Sequence, residues 1–190
     1  MKTLIISLKI FFFFTILTGI VYPLFITGIA QAVFPHKANG SIILKDGKEI
    51  GSELIAQKSD TLIYFSSRPS AIDYNPLPSG ASNFGLTNKK LKDTVDYRRK
   101  HFITINRLDS LKEIPSEMVF ASGSGLDPDI SPRAALLQVN RISKARHFSD
   151  TQQQQLINLI QSKTEEPQYG ILGDTRINVL LLNIELDKIK

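Results

Sequence analysis

The sequence predicts an α+β fold: one N-terminal transmembrane helix followed by a single mixed helix and strand domain outside the cytoplasm. Three observations predict it. No charged side chain occurs between Lys9 and His36. The roughly 155 residues after that stretch suit one domain of ordinary size. Within them, short β-prone runs bounded by turn residues alternate with longer runs whose apolar residues recur at helical spacing.

The apolar stretch comes first. Residues 10–34 as a helix would span about 37 Å, more than the ~30 Å hydrocarbon core, so they cross a bilayer with some tilt. Pro23 removes one backbone donor mid-segment and predicts a local kink. Thr18 and Gly19 allow a neighbouring helix to approach, which makes Gly19, Tyr22 and Pro23 the candidate contacts within the membrane. A cleaved signal peptide competes with this reading, because Ala30-Gln31-Ala32 has the small-x-small form of a cleavage site and Lys2 and Lys9 supply a positive start. The stretch is about twice the length of a typical signal core, which favours an uncleaved anchor.

Orientation follows from charge. Lys2, Lys9 and the amino terminus lie on one flank. On the other, Lys37 and Lys45 are offset by Asp46 and Glu49, which places the N-terminus inside. The expected organisation is a cytoplasmic N-terminus at 1–9, a transmembrane helix at 10–34 and an extracytoplasmic domain at 35–190. The formal charge is +5, and without Lys2 and Lys9 the balance is 21 basic against 18 acidic side chains. That is too mild to point to nucleic acid. The chain has no cysteine, so packing alone must hold the domain.

In the soluble part, SIILKDGKEIG reads as a hairpin turning at Asp46-Gly47. LIYFS at 62–66 reads as a strand. From Arg68 to Thr87, prolines, glycines and small polar residues exclude a helix or a central strand, so this is a long irregular loop of the kind that carries function or stays disordered. Asn88 caps a helix to about Asn106 with Leu91, Val95, Phe102 and Ile105 on one face, and its basic run is a solvated face or a contact for lipid headgroups. Arg98 falls on the apolar stripe and either reaches past the core or pairs with an acid. MVFASGSG at 118–125 reads as a strand entering a glycine turn. Ser131 and Pro132 start a helix to Arg146, and Ser149 caps another to about Lys163. The spacing in RINVLLLNIELDKIK favours a final helix capped by Asn178 over a buried strand.

Catalytic chemistry finds little support. Ser122 and Ser124 lack the flanks of a nucleophile elbow, so a serine hydrolase is only an alternative, beside a free-standing anchored or secreted binding protein. His36, His101 and His147 have no metal-ligand spacing. Asp127 and Asp129 could attract a cation through their oxygens, but two carboxylates also suit a turn that caps the next helix. No phosphate-binding loop can be derived, so no cofactor follows from the residues themselves.

Six segments in order carry a resemblance: LTGIVYPL at 17–24, ANGSII at 38–43, GSELIAQ at 51–57, RPSAIDYNPLPSGASNFGLTN at 68–88, ASGSGLDPDISPRAALLQVNRISKAR at 121–146, and INVLLLNIELDK near the end. Together they resemble the C subunit of the bacterial Kdp potassium-transporting P-type ATPase. Ala81 and Ala56 stand where that family commonly has glycine, and Glu185 where it commonly has alanine.

The resemblance implies a non-catalytic accessory subunit of a high-affinity, ATP-driven potassium uptake complex in a bacterial cytoplasmic (inner) membrane. It stabilises assembly and acts as a catalytic chaperone that raises the ATP affinity of the hydrolysing subunit. Its implied partners are a potassium-channel-like subunit, the P-type ATPase subunit and membrane lipid. ATP enters only by family attribution, and an outside domain conflicts with it. The chain has no Asp-Lys-Thr-Gly motif for a phosphorylated intermediate. The residues expected either to contact partners or to hold the loop in one shape are Arg68, Pro69, Ser70, Tyr74, Asn75, Ser82, Asn83 and Asn88. Asp127 and Asp129 are the candidates for raising local cation concentration near the pore.

Overall fold

The computed structural model describes residues 1–59, 61–109 and 113–189. The chain divides into two units, Met1–Ser52 and Glu53–Lys190.

The first unit is dominated by one apolar helix. It starts at Lys2 rather than Ile10, because nothing in the first residues breaks helical bonding. It comprises α1 (Lys2–Ile16), a π-helical turn (Leu17–Val21) and α2 (Tyr22–Val33). Pro23 explains the wide turn. A proline cannot donate to the carbonyl four residues back and its ring crowds that carbonyl. The turn opens ahead of it, with the Tyr22 N–H donating to the Leu17 carbonyl. The expected local distortion therefore takes the form of a π turn. Hydroxyls along the helix are satisfied within it: Thr15 donates to the Phe11 carbonyl at 2.8 Å, Thr18 to Phe14 at 2.7 Å and Thr27 to Pro23 at 2.8 Å. None of the helix side chains is buried.

A short helix, α3 (Pro35–Ala38), leads to the hairpin of β1 (Ile42–Lys45) and β2 (Lys48–Ser52). Asp46 and Gly47 have φ of 52° and 75°, as the expected two-residue turn requires. Ile43 pairs with Gly51 and Leu44 with Glu49, leaving Ile50 as a bulge.

The regular structure of the second unit is mainly helical: α4 (Lys89–Asn106), a 3-10 turn (Ser116–Met118), α5 (Pro132–Leu136), α6 (Val139–Ala145), α7 (Asp150–Ser162) and α8 (Val179–Leu186). Two short strands, β3 (Asp129–Ile130) and β4 (Ile177–Asn178), pair antiparallel beside them. The expected caps form. Asn88, Ser131, Ser149 and Asn178 each accept a backbone N–H of the first turn, and Ser149 with Gln152 makes a full capping box. The core gathers Phe65, Phe102, Ile142, Leu156, Ile160 and Leu182 from these elements.

Three expectations are corrected. Residues 62–66 are not a strand, because their backbone groups bond to side chains instead of a neighbouring strand, as described below. Residues 118–125 are not a strand either: Met118, Val119 and Phe120 donate back to Pro115 and Ser116 carbonyls, a helical curl that cannot join a ladder. The helix from Ser131 to Arg146 is interrupted at Leu137–Gln138, where the Gln138 N–H bonds to the Ala135 carbonyl three residues back. Lys190, the last residue of the tail read as helical, lies outside the described residues.

Candidate functional site

The loop at 68–88 contains neither helix nor strand, as expected, yet its backbone is closely held. Ser70 Oγ accepts the N–H groups of Ile72 and Tyr74 at 3.1 and 2.9 Å. The Tyr74 hydroxyl donates back to the Arg68 carbonyl at 2.7 Å. Asn75 Oδ1 accepts the Leu77 N–H at 3.1 Å. Asp73, Tyr74 and Asn83 take positive φ of 52°, 60° and 54°, a conformation that Asp and Asn tolerate better than most residues. These bonds answer the requirement that buried loop backbone find partners.

A second turn, 122–127, is the surface against which the loop closes. The Gly80 N–H donates to the Ser124 carbonyl at 3.0 Å, and the Ala56 N–H to that of Leu126 at 2.9 Å. Gly125, at φ +73°, fits only as glycine: a Cβ there would stand 2.5 Å from Ile72 Cγ1 and 2.9 Å from the Gly80 carbonyl oxygen. Arg68 Nη1 meets Asp127 Oδ2 at 2.6 Å, locking the start of the loop to this turn. The Arg68 Nε is buried and has no hydrogen-bond acceptor.

Both aspartates thus face arginines. Asp129 Oδ2 lies 3.3 Å from Arg176 Nε, and Arg176 also meets Glu165 at 2.9 Å. Burial first, then the Asp127 charge, raises the Asp129 carboxyl above its ordinary value, and Arg176 offsets part of that. Ser122 Oγ is buried and accepts the Asp127 N–H at 3.5 Å, while Ser124 Oγ accepts the Leu126 N–H at 3.1 Å. Both hydroxyls shape the turn.

Of the other predicted residues, Asn88 caps α4 through Lys90 and Leu91. Pro69 is half-buried at the start of the loop, and Ser82 and Asn83 are exposed on one wall of a groove beside α4. Gly19, Tyr22 and Pro23 belong to the first unit. Gly19 has no atom within 4 Å of where a Cβ would stand, so that side of the helix is open.

The chain matches the family model for KdpC, the c chain of the K+-transporting ATPase, over residues 4–188. It belongs to that family. Similar proteins include the potassium-transporting ATPase KdpC subunits of Leptospira interrogans, 44% identical over 96% of this chain and 92% of the relative. The KdpC subunit of Geotalea uraniireducens is 46% identical over 100% and 99%, and that of Caldanaerobacter subterraneus 42% over 95% and 92%. The KdpC match therefore takes in the apolar helix, the loop at 68–88 and the turn at 122–127 alike.

Sequence reading missed the polar groups that hold the segment just ahead of this loop, residues 61–66. Arg141 is only 4% exposed. Its Nε donates to Asn106 Oδ1 at 2.9 Å, its Nη1 to the Leu62 and Thr61 carbonyls at 2.6 and 3.2 Å, and its Nη2 to Gln138 Oε1 at 2.8 Å. Burial pushes it down to about 10, so it stays charged at neutral pH. Gln138 pairs with both the N–H and the C=O of Ser66, at 2.8 and 3.3 Å. Asn183 does the same for Phe65, at 2.8 and 3.0 Å. Arg146 donates to the Ile63 carbonyl at 2.8 Å, meets Asp187 at 2.8 Å and covers the Tyr64 ring. Side-chain amides and guanidinium groups thus replace the neighbouring strand that residues 62–66 lack. The sequence signal was Gln138 and Arg141 at an i, i+3 spacing within a largely apolar run.

Also missed was a narrow arm closed by Glu165 with Arg176 and Gln168 with Leu172. Its tip carries Tyr169 and Ile171, 91% and 81% exposed.

Proposed function

We propose that this chain is the accessory subunit of a potassium-transporting ATPase complex, anchored by its apolar helix and contributing a folded domain outside the cytoplasm that stabilises assembly. The observation that carries the reading is the KdpC match over residues 4–188, which unites the helix and the domain in one family unit. Two physical features support it. The helix Lys2–Val33 buries none of its side chains within the chain, so lipid and protein neighbours must cover them. The loop at 68–88 is held in one shape by its own side chains while Leu77 and Leu86 remain 81% and 91% exposed, as a preformed contact surface requires.

In this proposal the partners are a potassium-channel-like subunit and the ATP-hydrolysing subunit, and this chain carries out no chemical step. The chaperone effect on ATP affinity is read as a consequence of assembly rather than of nucleotide held by this domain. Asp127 and Asp129, each facing an arginine, are read as groups that close the turn rather than as cation collectors. The N-terminus lies in the cytoplasm.

The test is affinity capture of the tagged full-length chain from membranes in mild detergent. Larger subunits that accompany it and hydrolyse ATP in response to potassium are the expected result. A lone chain in several mild detergents would overturn the function while leaving the fold intact.

A further inference from the structure

The groove between the 68–88 loop and α4 has a volume of about 560 Å³, and among the described residues its lining carries two cations and no acid. Lys90 and Arg98 lie on the same side of α4, about 12 Å apart along its axis. The Lys90 ammonium sits 5.5 Å over the Phe84 ring. Arg98 answers the alternative left open by its sequence position: it neither extends freely into solvent nor pairs with an acid. Its Nη1 donates to the Val119 carbonyl at 3.2 Å, and no carboxylate among the described residues lies within ion-pair distance of it. Burial lowers its pKa, the mark of a desolvated charge without a counterion. Around these cations the wall is open and mixed, with Ser82, Asn83 and Thr94 beside the apolar Phe84, Leu86 and Phe120. Phe84 is half-buried, Phe120 is 38% exposed and Leu86, at the rim, is 91% exposed.

A half-buried guanidinium without a carboxylate is costly, and a matching acid repays that cost best where water is excluded. We infer that this groove receives an extended segment of a larger partner subunit, with an aspartate or glutamate of that segment on Arg98 and Lys90 and an adjoining apolar side chain against Leu86 and Phe120. A small free anion would satisfy the cations but leave Leu86 and Phe120 uncovered. A lipid headgroup would find less hindered lysines on the outer side of α4, where Lys89, Lys92 and Lys100 are exposed. The inference rests on the subunit reading above.

The experiment uses the assembled complex, captured through a tag on this chain. Arg98→Lys places a primary amine in the groove beside Lys90, and a water-soluble carbodiimide then joins amines to carboxylates in direct contact. The expected product links residue 98 or Lys90 to an acidic residue of a larger subunit, identified by mass spectrometry. Arg98→Gln and Leu86→Ser are then expected to release at least about tenfold more of this chain in a high-salt wash than wild type does. Leu86→Ser guards against misfolding, since a side chain so exposed supports nothing internal, and thermal melting checks Arg98→Gln. An intact complex with no such cross-link, and variants retained like wild type, would overturn the inference. So would loss of binding to vesicles containing phosphatidylglycerol on Arg98→Gln with retention in the complex unchanged, which would assign the groove to headgroups. A wild-type chain that brings down no larger subunit would overturn the subunit reading as well.

Discussion

Arg141 shows how much of this domain depends on single polar side chains. Its guanidinium makes hydrogen bonds in several directions from a buried position, an arrangement that suits a planar fork and not an ammonium. Arg141→Lys is therefore expected to destabilise the folded chain by about 2–3 kcal/mol, because the fully buried Asn106 side-chain oxygen loses its donor without regaining water. Thermal unfolding of the full-length protein in detergent reads this directly, and a melting temperature like that of wild type would refute the clamp. Asp129 gives a prediction with a sign. Its carboxyl pKa is raised in the folded state, so the folded protein holds that proton more tightly than the unfolded chain, and stability falls as pH rises through the carboxylate range. Asp129→Asn removes that loss. The difference in melting temperature between variant and wild type should move in favour of the variant from about pH 3 to pH 7. Movement towards wild type would mean that Arg176 outweighs burial.

At the scale of elements, local signals were legible and distant ones were not. Asn88, Ser131, Ser149 and Asn178 could be read as caps because a cap involves a side chain and an amide two or three residues away. Ser149→Ala should accordingly cost about 1 kcal/mol, seen in the same melting experiment. The segment at 62–66 has the composition of a strand. What satisfies its backbone comes from Gln138 and Asn183, 72 and 118 residues away, and nothing in a local pattern could announce that. The loop at 68–88 was legible as irregular from its prolines and glycines. That it closes on the turn at 122–127 was not, since the closure rests on Arg68 meeting Asp127 and on the missing side chain of Gly125. Gly125→Ala forces a Cβ against Ile72 and the Gly80 carbonyl, so the loop must lift. Limited proteolysis should then cut between residues 70 and 88 several times faster than in wild type, and equal rates would show that the turn is not what holds the loop.

At the scale of the whole molecule, the absence of cysteine makes orientation directly measurable. Tyr169→Cys introduces a thiol at a position 91% exposed and outside the contact surfaces proposed above. If the domain lies outside, a membrane-impermeant maleimide labels it in intact spheroplasts, and labelling that appears only after lysis would reverse the assigned orientation. The candidate contact surfaces were legible only as sequence neighbourhoods. The groove beside α4 needed the fold, because it brings Phe120 against residues from the loop and from the helix. The wide turn ahead of Pro23 has a consequence of its own. An α-helix advances about 100° per residue, so one residue accommodated in a wider turn rotates everything after it by about that angle relative to what came before. Side chains on one face of α1 therefore do not line up with those that continue the same helical spacing in α2; the two halves address different directions in the bilayer plane. A relative shortened by one residue within Leu17–Val21 would bring the two faces into line and would present a single edge where this chain presents two.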